Sequence, residues 1–236
     1  GEKMSVKNEV LHILELNMGK SVSGQELAEK LGVSRTAVWK SIKSLEKEGY
    51  IISGISNKGY SLSPASDVLS SKGIMAYIRD EFKDISITAY KTINSTNTEA
   101  KLQAMQNAAH GTVIVSEEQT SGRGRMGRTF YSPSQSGIYM SIILKPTLSI
   151  TDSVLITTAA ATAVCMAIDK FTELEPKIKW VNDIYINNKK VCGILTEAVT
   201  DVESGIVNSI IVGIGVNVKA AVFPEELKET AGSIFS

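Results

Sequence analysis

Residues 122–133 read GRGRMGRTFYSP, and the residues directly after its glycines decide the fold class. The glycines of Gly122-Arg123-Gly124-Arg125-Met126-Gly127 match the GxGxxG spacing of a dinucleotide-binding turn. That turn needs a helix directly after it, so that the helix N-terminus meets the pyrophosphate. Here Thr129-Phe130-Tyr131-Ser132-Pro133 comes next, and then another β-prone run. No GxxxxGK[ST] motif is present, so the phosphate-binding P-loop is excluded too. The stretch is instead a glycine-rich loop carrying Arg123, Arg125 and Arg128. Glycines let backbone N–H groups approach a ligand, and guanidiniums pair bidentately with carboxylate or phosphate. Three like charges so close together either join on an anion or form a solvated basic loop.

Around this loop, helical periodicity at about 68–82, 97–109 and 152–171 alternates with β-prone runs near 86–90, 112–117, 138–144, 177–181, 184–187, 190–198 and 207–217. Several runs are joined by short turns, Asn187-Asn188 being the clearest, which predicts a mixed or largely antiparallel sheet with helices on it. The fold class is α+β.

The first 64 residues obey a different grammar. Val6, Val10, Ile13, Leu14 and Leu16 recur along one face of a helix, and a second helix begins at Gly24 and stops at Gly32. Ser34 is placed to cap a third helix, 35–48, with Val38, Ile42 and Leu45 as its inward stripe. Two β-prone pieces then flank residues 54–59 as a hairpin. Helix, helix, turn, helix, hairpin is the order of a winged helix-turn-helix. It leaves Ser34, Arg35, Thr36, Trp39, Lys40 and Lys43 on the leading end or outer side of the third helix, with Lys58 at the hairpin tip, where they would meet DNA. Alternatively the cations are a solvated face and Trp39 packs on the hairpin. Charge gives little help: residues 1–64 hold nine Lys and Arg against seven Asp and Glu, and the chain as a whole is neutral. The polar stretch Ser63-Pro64-Ala65-Ser66-Asp67 marks the expected boundary between domains 1–64 and 65–236.

Two cysteines, Cys165 and Cys192, suit a reducing cytoplasm and give no disulfide framework. No membrane span or signal peptide is expected, so the chain is read as soluble and cytoplasmic. His12 and His110 lack metal-ligand spacing. Thr96 and Glu99 fit a capping box, which would open a helix whose free N–H groups suit a polar heterocycle or an anion. Lys179 and Lys190 each border apolar runs and either snorkel to solvent or meet an anion.

Taken together, Ser95-Thr96-Asn97, GRGRMGRTFYSP, KWVNDIYINNKKVCGIL (179–195), GIGVNV (213–218) and the winged helix ahead of them resemble the bifunctional biotin–protein ligase/biotin operon repressor family. The resemblance implies a mixed-sheet catalytic domain that joins biotin to ATP as biotinyl-5′-AMP and passes biotin to a lysine of a biotin carboxyl carrier protein. It implies that Ser95, Thr96, Asn97, Gln119, Arg123, Gly124, Arg125 and Lys190 contact biotin, and that Arg128, Lys179, Asp183 and Asn217 surround ATP. Lys190, Arg125 and Asp183 would be catalytic, Asp183 as acceptor of the incoming amine's proton. Mg²⁺ is implied without assignable ligands. So are operator DNA as a partner and a homodimer when the adenylate is bound. The alternative is a ligand-sensing winged-helix regulator without ligase activity. Phe130 and Val181 depart from the family's usual Trp and Pro, which is read as a change of packing. The chain also ends at Ser236, short of the small SH3-like barrel usual in such proteins, so adenylate formation is the better supported half-reaction.

Overall fold

The computed structural model describes residues 5–55, 58–146, 153–200, 207–219 and 222–235. The chain divides into two compact units, Gly1–Lys83 and Asp84–Ser236.

In the first unit, helices α1 (Val6–Leu16), α2 (Gly24–Leu31) and α3 (Arg35–Lys47) precede an antiparallel pair, β1 (Ile52–Ile55) and β2 (Gly59–Leu62). Each helix starts at a serine whose side chain accepts a backbone N–H three residues on: Ser5 from Asn8, Ser23 from Glu26 and Ser34 from Ala37. Gly32 ends α2 in the left-handed conformation, φ 62°. Val10, Leu14, Leu27, Val38, Ile42, Leu45 and Leu62 form the core. One expectation fails within α1: Leu16 is exposed and Leu11 is buried instead. At 100° per residue, position 11 shares the face of 10 and 14, whereas 16 turns away from it. The hairpin tip, residues 56–57, lies outside the described residues.

Residues 65–83 group with this unit. Their helix α4 (Ser71–Tyr77) packs on α1, where Tyr77 Oη lies 3.9 Å from Met18 Sδ. Its approach buries Glu15, whose Oε2 has no hydrogen-bond partner among the described residues. A Cβ built on Gly73 would stand 2.7 Å from Glu15 Oε1, so α4 brings its backbone close to this carboxyl.

The second unit is a seven-stranded sheet in the order β3-β4-β5-β9-β8-β7-β6. Its strands are β3 (Ile87–Tyr90), β4 (Val113–Ser116), β5 (Gly137–Leu144), β6 (Lys177–Lys179), β7 (Asp183–Ile186), β8 (Lys189–Thr200) and β9 (Val207–Asn217). Among the described residues only β3 and β4 run parallel; the other neighbours are antiparallel. Asn187 and Asn188 take φ of 49° and 62°, the geometry of a two-residue type I′ hairpin turn between β7 and β8.

Alternation along β9 divides the core. Ile211 packs with Ala100 and Ala104 of α5 (Thr96–Met105), while Ile210, Val212, Ile214 and Val216 pack with Ala161 and Ile168 of α6 (Ser153–Phe171). The helix start expected at residue 152 lies outside the described residues. Contrary to the sequence expectation, α6 is long and apolar enough to cross a membrane by length and composition alone, over Val154–Phe171. Its scattered threonines hid the run. Only one face packs on the sheet, and Leu155, Met166 and Phe171 are exposed. Cys192 is fully buried, and that burial pushes its thiol up to about 12; Cys165 is half-buried and also raised, by the same cause.

Burial raises the Glu15 carboxyl from 4.5 to about 7. The folded state therefore holds its proton more tightly than the unfolded state, and stability present below about pH 4.5 is lost as pH rises through 7. Amide exchange across α1 and α4 in the full chain should accelerate from pH 5 to 8 more than intrinsic exchange does, and Glu15→Gln should remove that excess.

Candidate functional site

The site is built on a part of the sheet that has no side chains of its own. Gly193 on β8 is registered directly opposite Gly215 on β9, and Gly213 lies opposite Leu195. A Cβ at Gly215 would sit 2.5 Å from the Phe130 ring, one at Gly193 would sit 3.1 Å from it, and one at Gly213 would sit 2.1 Å from Asn97 Oδ1. The bare backbone thus lets Phe130 and Asn97 lie flat on the sheet. Phe130 also lines both of two adjoining clefts. Its departure from the usual Trp is therefore a change in the cleft wall as well as in packing.

The first cleft gathers Ser95, Thr96, Asn97, Gln119, Arg123, Gly124, Arg125 and Lys190. The second gathers Arg128, Asp183 and Asn217 and shares Gly124, Arg125, Phe130, Asn182 and Lys190 with the first. Lys179 lines neither: it is exposed on β6, its ammonium 5.3 Å from the Tyr185 ring centroid.

At the start of α5, the cap differs from the sequence reading. Ser95 is the N-cap, accepting from Thr98 N, while Glu99 turns away to accept from Tyr90 and Gln103. Thr96 donates from its backbone N (2.8 Å) and its hydroxyl (3.0 Å) to Gln119 Oε1, and Gln119 donates to Ser132 Oγ at 2.9 Å. Asn97 donates to Glu197 Oε2 at 2.8 Å and is within 2.6 Å of Ser141 Oγ. The result is a pocket of hydroxyls and amides with fixed orientations, suited to a polar, uncharged ring.

At the other end lie the charges. Lys190 Nζ is 2.8 Å from Asp183 Oδ1; Asp183 Oδ1 also accepts from Asn182 Nδ2 at 2.8 Å, and Asn182 Oδ1 accepts from Arg125 Nη1 at 2.8 Å. Arg125 is thus met by a neutral amide rather than by an anion, beside the paired lysine. Arg123 instead pairs with Glu197 at 3.1 Å. The loop itself is closed by Gly124 N donating to Arg128 O (2.7 Å) and Phe130 N to Gly122 O (2.9 Å).

Several lining residues escaped the sequence reading. Asn182 was legible only as part of the run 179–195, and Glu197, which lines neither cleft but holds Asn97 and Arg123 from behind the first, carried no spacing signal. Phe223, Leu227, Thr230 and Ala231 come to the second cleft from beyond β9. Asn217 Nδ2 holds this segment by donating to Gly232 O at 2.9 Å.

In the first unit, Arg35, Thr36, Trp39, Lys40 and Lys58 are exposed, Trp39 by half of its surface, so Trp39 is not core. Lys43 is exposed but paired with Glu46 at 2.6 Å, and Ser34 is occupied as the α3 cap.

The profile of the biotin/lipoate A/B protein ligase family matches residues 89–217, which include both clefts' sheet, and a helix-turn-helix domain profile matches residues 6–61. The chain belongs to the biotin/lipoate A/B protein ligase family. It is similar to the bifunctional ligase/repressor BirA of Bacillus subtilis (strain 168), with 37% identity over 98% of this chain and 71% of the relative. The Escherichia coli (strain K12) protein of the same name is 29% identical over 84% of this chain and 60% of its own length. Among solved structures, the biotin protein ligase from Aquifex aeolicus in complex with biotin and ATP aligns with a TM-score of 0.53 and 32% identity over 63% of this chain and 59% of that one. The chain thus spans about three-fifths to seven-tenths of these family members.

If the bare patch is what seats Phe130, a methyl group there must displace the ring. Gly215→Ala should cost about 1–3 kcal/mol of stability, the usual overpacking penalty, measured by urea unfolding. Ser134→Ala, on an exposed loop position, should change stability by less than about 0.5 kcal/mol.

Proposed function

We propose that the chain is an ATP-dependent biotin–protein ligase and a biotin-responsive transcriptional repressor. One observation carries the reading: the hydroxyl-and-amide pocket at the start of α5 and the Arg125–Asn182–Asp183–Lys190 network meet in one continuous pair of clefts. The family membership, the relatives' names and the Aquifex complex support it.

The biotin ring system lies among Ser95, Thr96, Asn97 and Gln119, with its carboxylate toward Lys190. ATP occupies the wider cleft beside Arg128, Asp183 and Asn217, with Lys179 at its margin. A biotin carboxylate is ionised at neutral pH, so no general base is needed for the first step. One carboxylate oxygen attacks the α-phosphorus; the new C–O–P linkage forms as the bond to pyrophosphate breaks. The obstacle is repulsion between two anions. Lys190 and Arg125 reduce it, holding the reacting groups together as charge shifts onto the leaving pyrophosphate. In the second step a carrier lysine attacks the mixed anhydride and AMP leaves. Its amine must lose a proton, and Asp183 becomes available to accept it when Lys190 turns to the adenylate.

Mg²⁺ would enter with the nucleotide. Among the described residues no three His, Cys, Asp or Glu side chains cluster, and Asp183 is the one carboxylate lining the clefts. That donor set suits a cation carried mainly by phosphates and water, with one protein carboxylate at most. When bound it would neutralise phosphate charge.

On the DNA side, α3 presents Arg35, Thr36 and Trp39 to a groove and Lys40 and Lys43 to phosphates, and the turn between β1 and β2 presents Lys58 to a phosphate. Adenylate-dependent pairing of two chains would match a two-fold operator. The protein works in the cytoplasm, with a biotin carboxyl carrier protein as its acyl acceptor.

Biotin-dependent exchange of labelled pyrophosphate into ATP tests the enzymatic reading; a folded protein that shows none would overturn it. Lys190→Met should lower the exchange rate at least about 100-fold, the scale for loss of one preorganised charge at the reacting centre. For DNA, Lys40→Ala should weaken operator binding and reduce the slope of log K against log salt by about one, the signature of a single phosphate no longer neutralised. An unchanged slope would remove Lys40 from the interface.

A further inference from the structure

Glu197 has no assigned role in the reaction, yet it is where three groups around the first cleft converge. Its Oε1 is 2.6 Å from Lys101 Nζ and 3.1 Å from Arg123 Nη2, and its Oε2 accepts from Asn97 Nδ2 at 2.8 Å. The carboxylate is largely buried, with 17% of its side chain accessible, and it does not line the cleft itself. Burial alone would raise its carboxyl. The hydrogen bonds from Lys101 and Asn97 and the charges of Lys101 and Arg123 outweigh that and hold it below the usual value, so it is ionised at neutral pH.

The three partners come from two parts of the chain, neither of them adjoining Glu197 in sequence. Lys101 and Asn97 belong to α5, Arg123 belongs to the glycine-rich loop, and Glu197 stands on β8. Among the described residues Arg123 has no other ion-pair partner, and its side chain is 46% exposed. The guanidinium is thus drawn down to the sheet rather than left in solvent. Lys101 alone would balance Glu197, so the pair with Arg123 leaves the cluster net positive while fixing one end of the loop. Arg125, fixed to Asn182, moors the other end.

We infer that Glu197 is a positioning residue for biotin adenylation: it moors the glycine-rich loop through Arg123 and orients Asn97, closing the loop over the ligand. This assigns Arg123 a tethering role and leaves neutralisation of the ligand's charge to Arg125 and Lys190. The inference rests on the ligase reading.

The test uses the full chain with Glu197→Gln, Arg123→Gln and the double variant. In pyrophosphate exchange, each single change should raise the biotin KM roughly tenfold, the loss of one charge-assisted hydrogen bond, with kcat held within about twofold. The double variant should be no worse than either single one, because both break the same ion pair. Trypsin cleavage after Arg125 or Arg128 should accelerate in both single variants and be suppressed by biotin with ATP. Additive KM effects, an unchanged KM, or unaltered cleavage would overturn the mooring role. Should Glu197→Gln fail to fold because Lys101 is left unpaired, Arg123→Gln carries the test, since it preserves the Lys101–Glu197 pair. If the parent protein shows no exchange, the ligase reading falls, and the trypsin comparison still decides whether Glu197 holds the loop.

Discussion

Gly193 and Gly215 face each other across β8 and β9, and the site depends on the absence of side chains at that spot. A sheet normally presents a Cβ at every second residue on each face. Removing them at 193, 213 and 215 opens a trough one side chain deep in the α5 face. Phe130 and Asn97 fill part of it, and the space left between them is the first cleft. The other face of the same strands keeps its full apolar row of Ile210, Val212, Ile214 and Val216, packed against α6. Alternation therefore lets two strands serve as core on one side and as ligand floor on the other.

The charges above this floor are graded by their partners. Arg123 and Lys101 share a largely buried carboxylate, Lys190 shares Asp183 with an amide, and among the described residues Arg125 meets only the Asn182 amide. A guanidinium facing a neutral amide has no counter-charge beside it, whereas the field of one facing a carboxylate is largely offset by that anion. The arginines of one short loop thus differ in function although they are chemically identical. Asn182 is central to this arrangement, because it donates to Asp183 while accepting from Arg125 and so links the loop to the lysine pair.

The first unit poses the opposite electrostatic case. Glu15 is buried between α1 and α4 with no partner among the described residues for one oxygen, and the cost appears as a raised carboxyl. That cost arises at the contact between the winged helix and the segment just after it in the chain. A carboxylic acid tolerates such a place only while protonated.

Patterns that repeat along the chain were legible without a structure. The Ser34 cap, the Gly32 stop, the stripe Val38-Ile42-Leu45 and the Asn187-Asn188 turn each rest on contacts within a few residues, so local sequence determined them. So did the exclusion of a dinucleotide-binding turn, which needed only the absence of a helix after residue 127. The cap of α5 was misread because Ser95 and Thr96 both suit a cap locally, and only Gln119, brought over by the neighbouring loop, takes up the Thr96 hydroxyl and leaves the cap to Ser95. Leu16 was misplaced because the buried face of α1 runs through Val10, Leu11 and Leu14, from which position 16 turns away. Glu197 was invisible because its partners lie about a hundred and about seventy positions earlier in the chain, on a helix and a loop brought to β8 only by tertiary packing. Sequence alone determined the elements, the family and the kinds of group at the site. Tertiary structure decided which charges meet, since strand register fixes neighbours that no local spacing encodes.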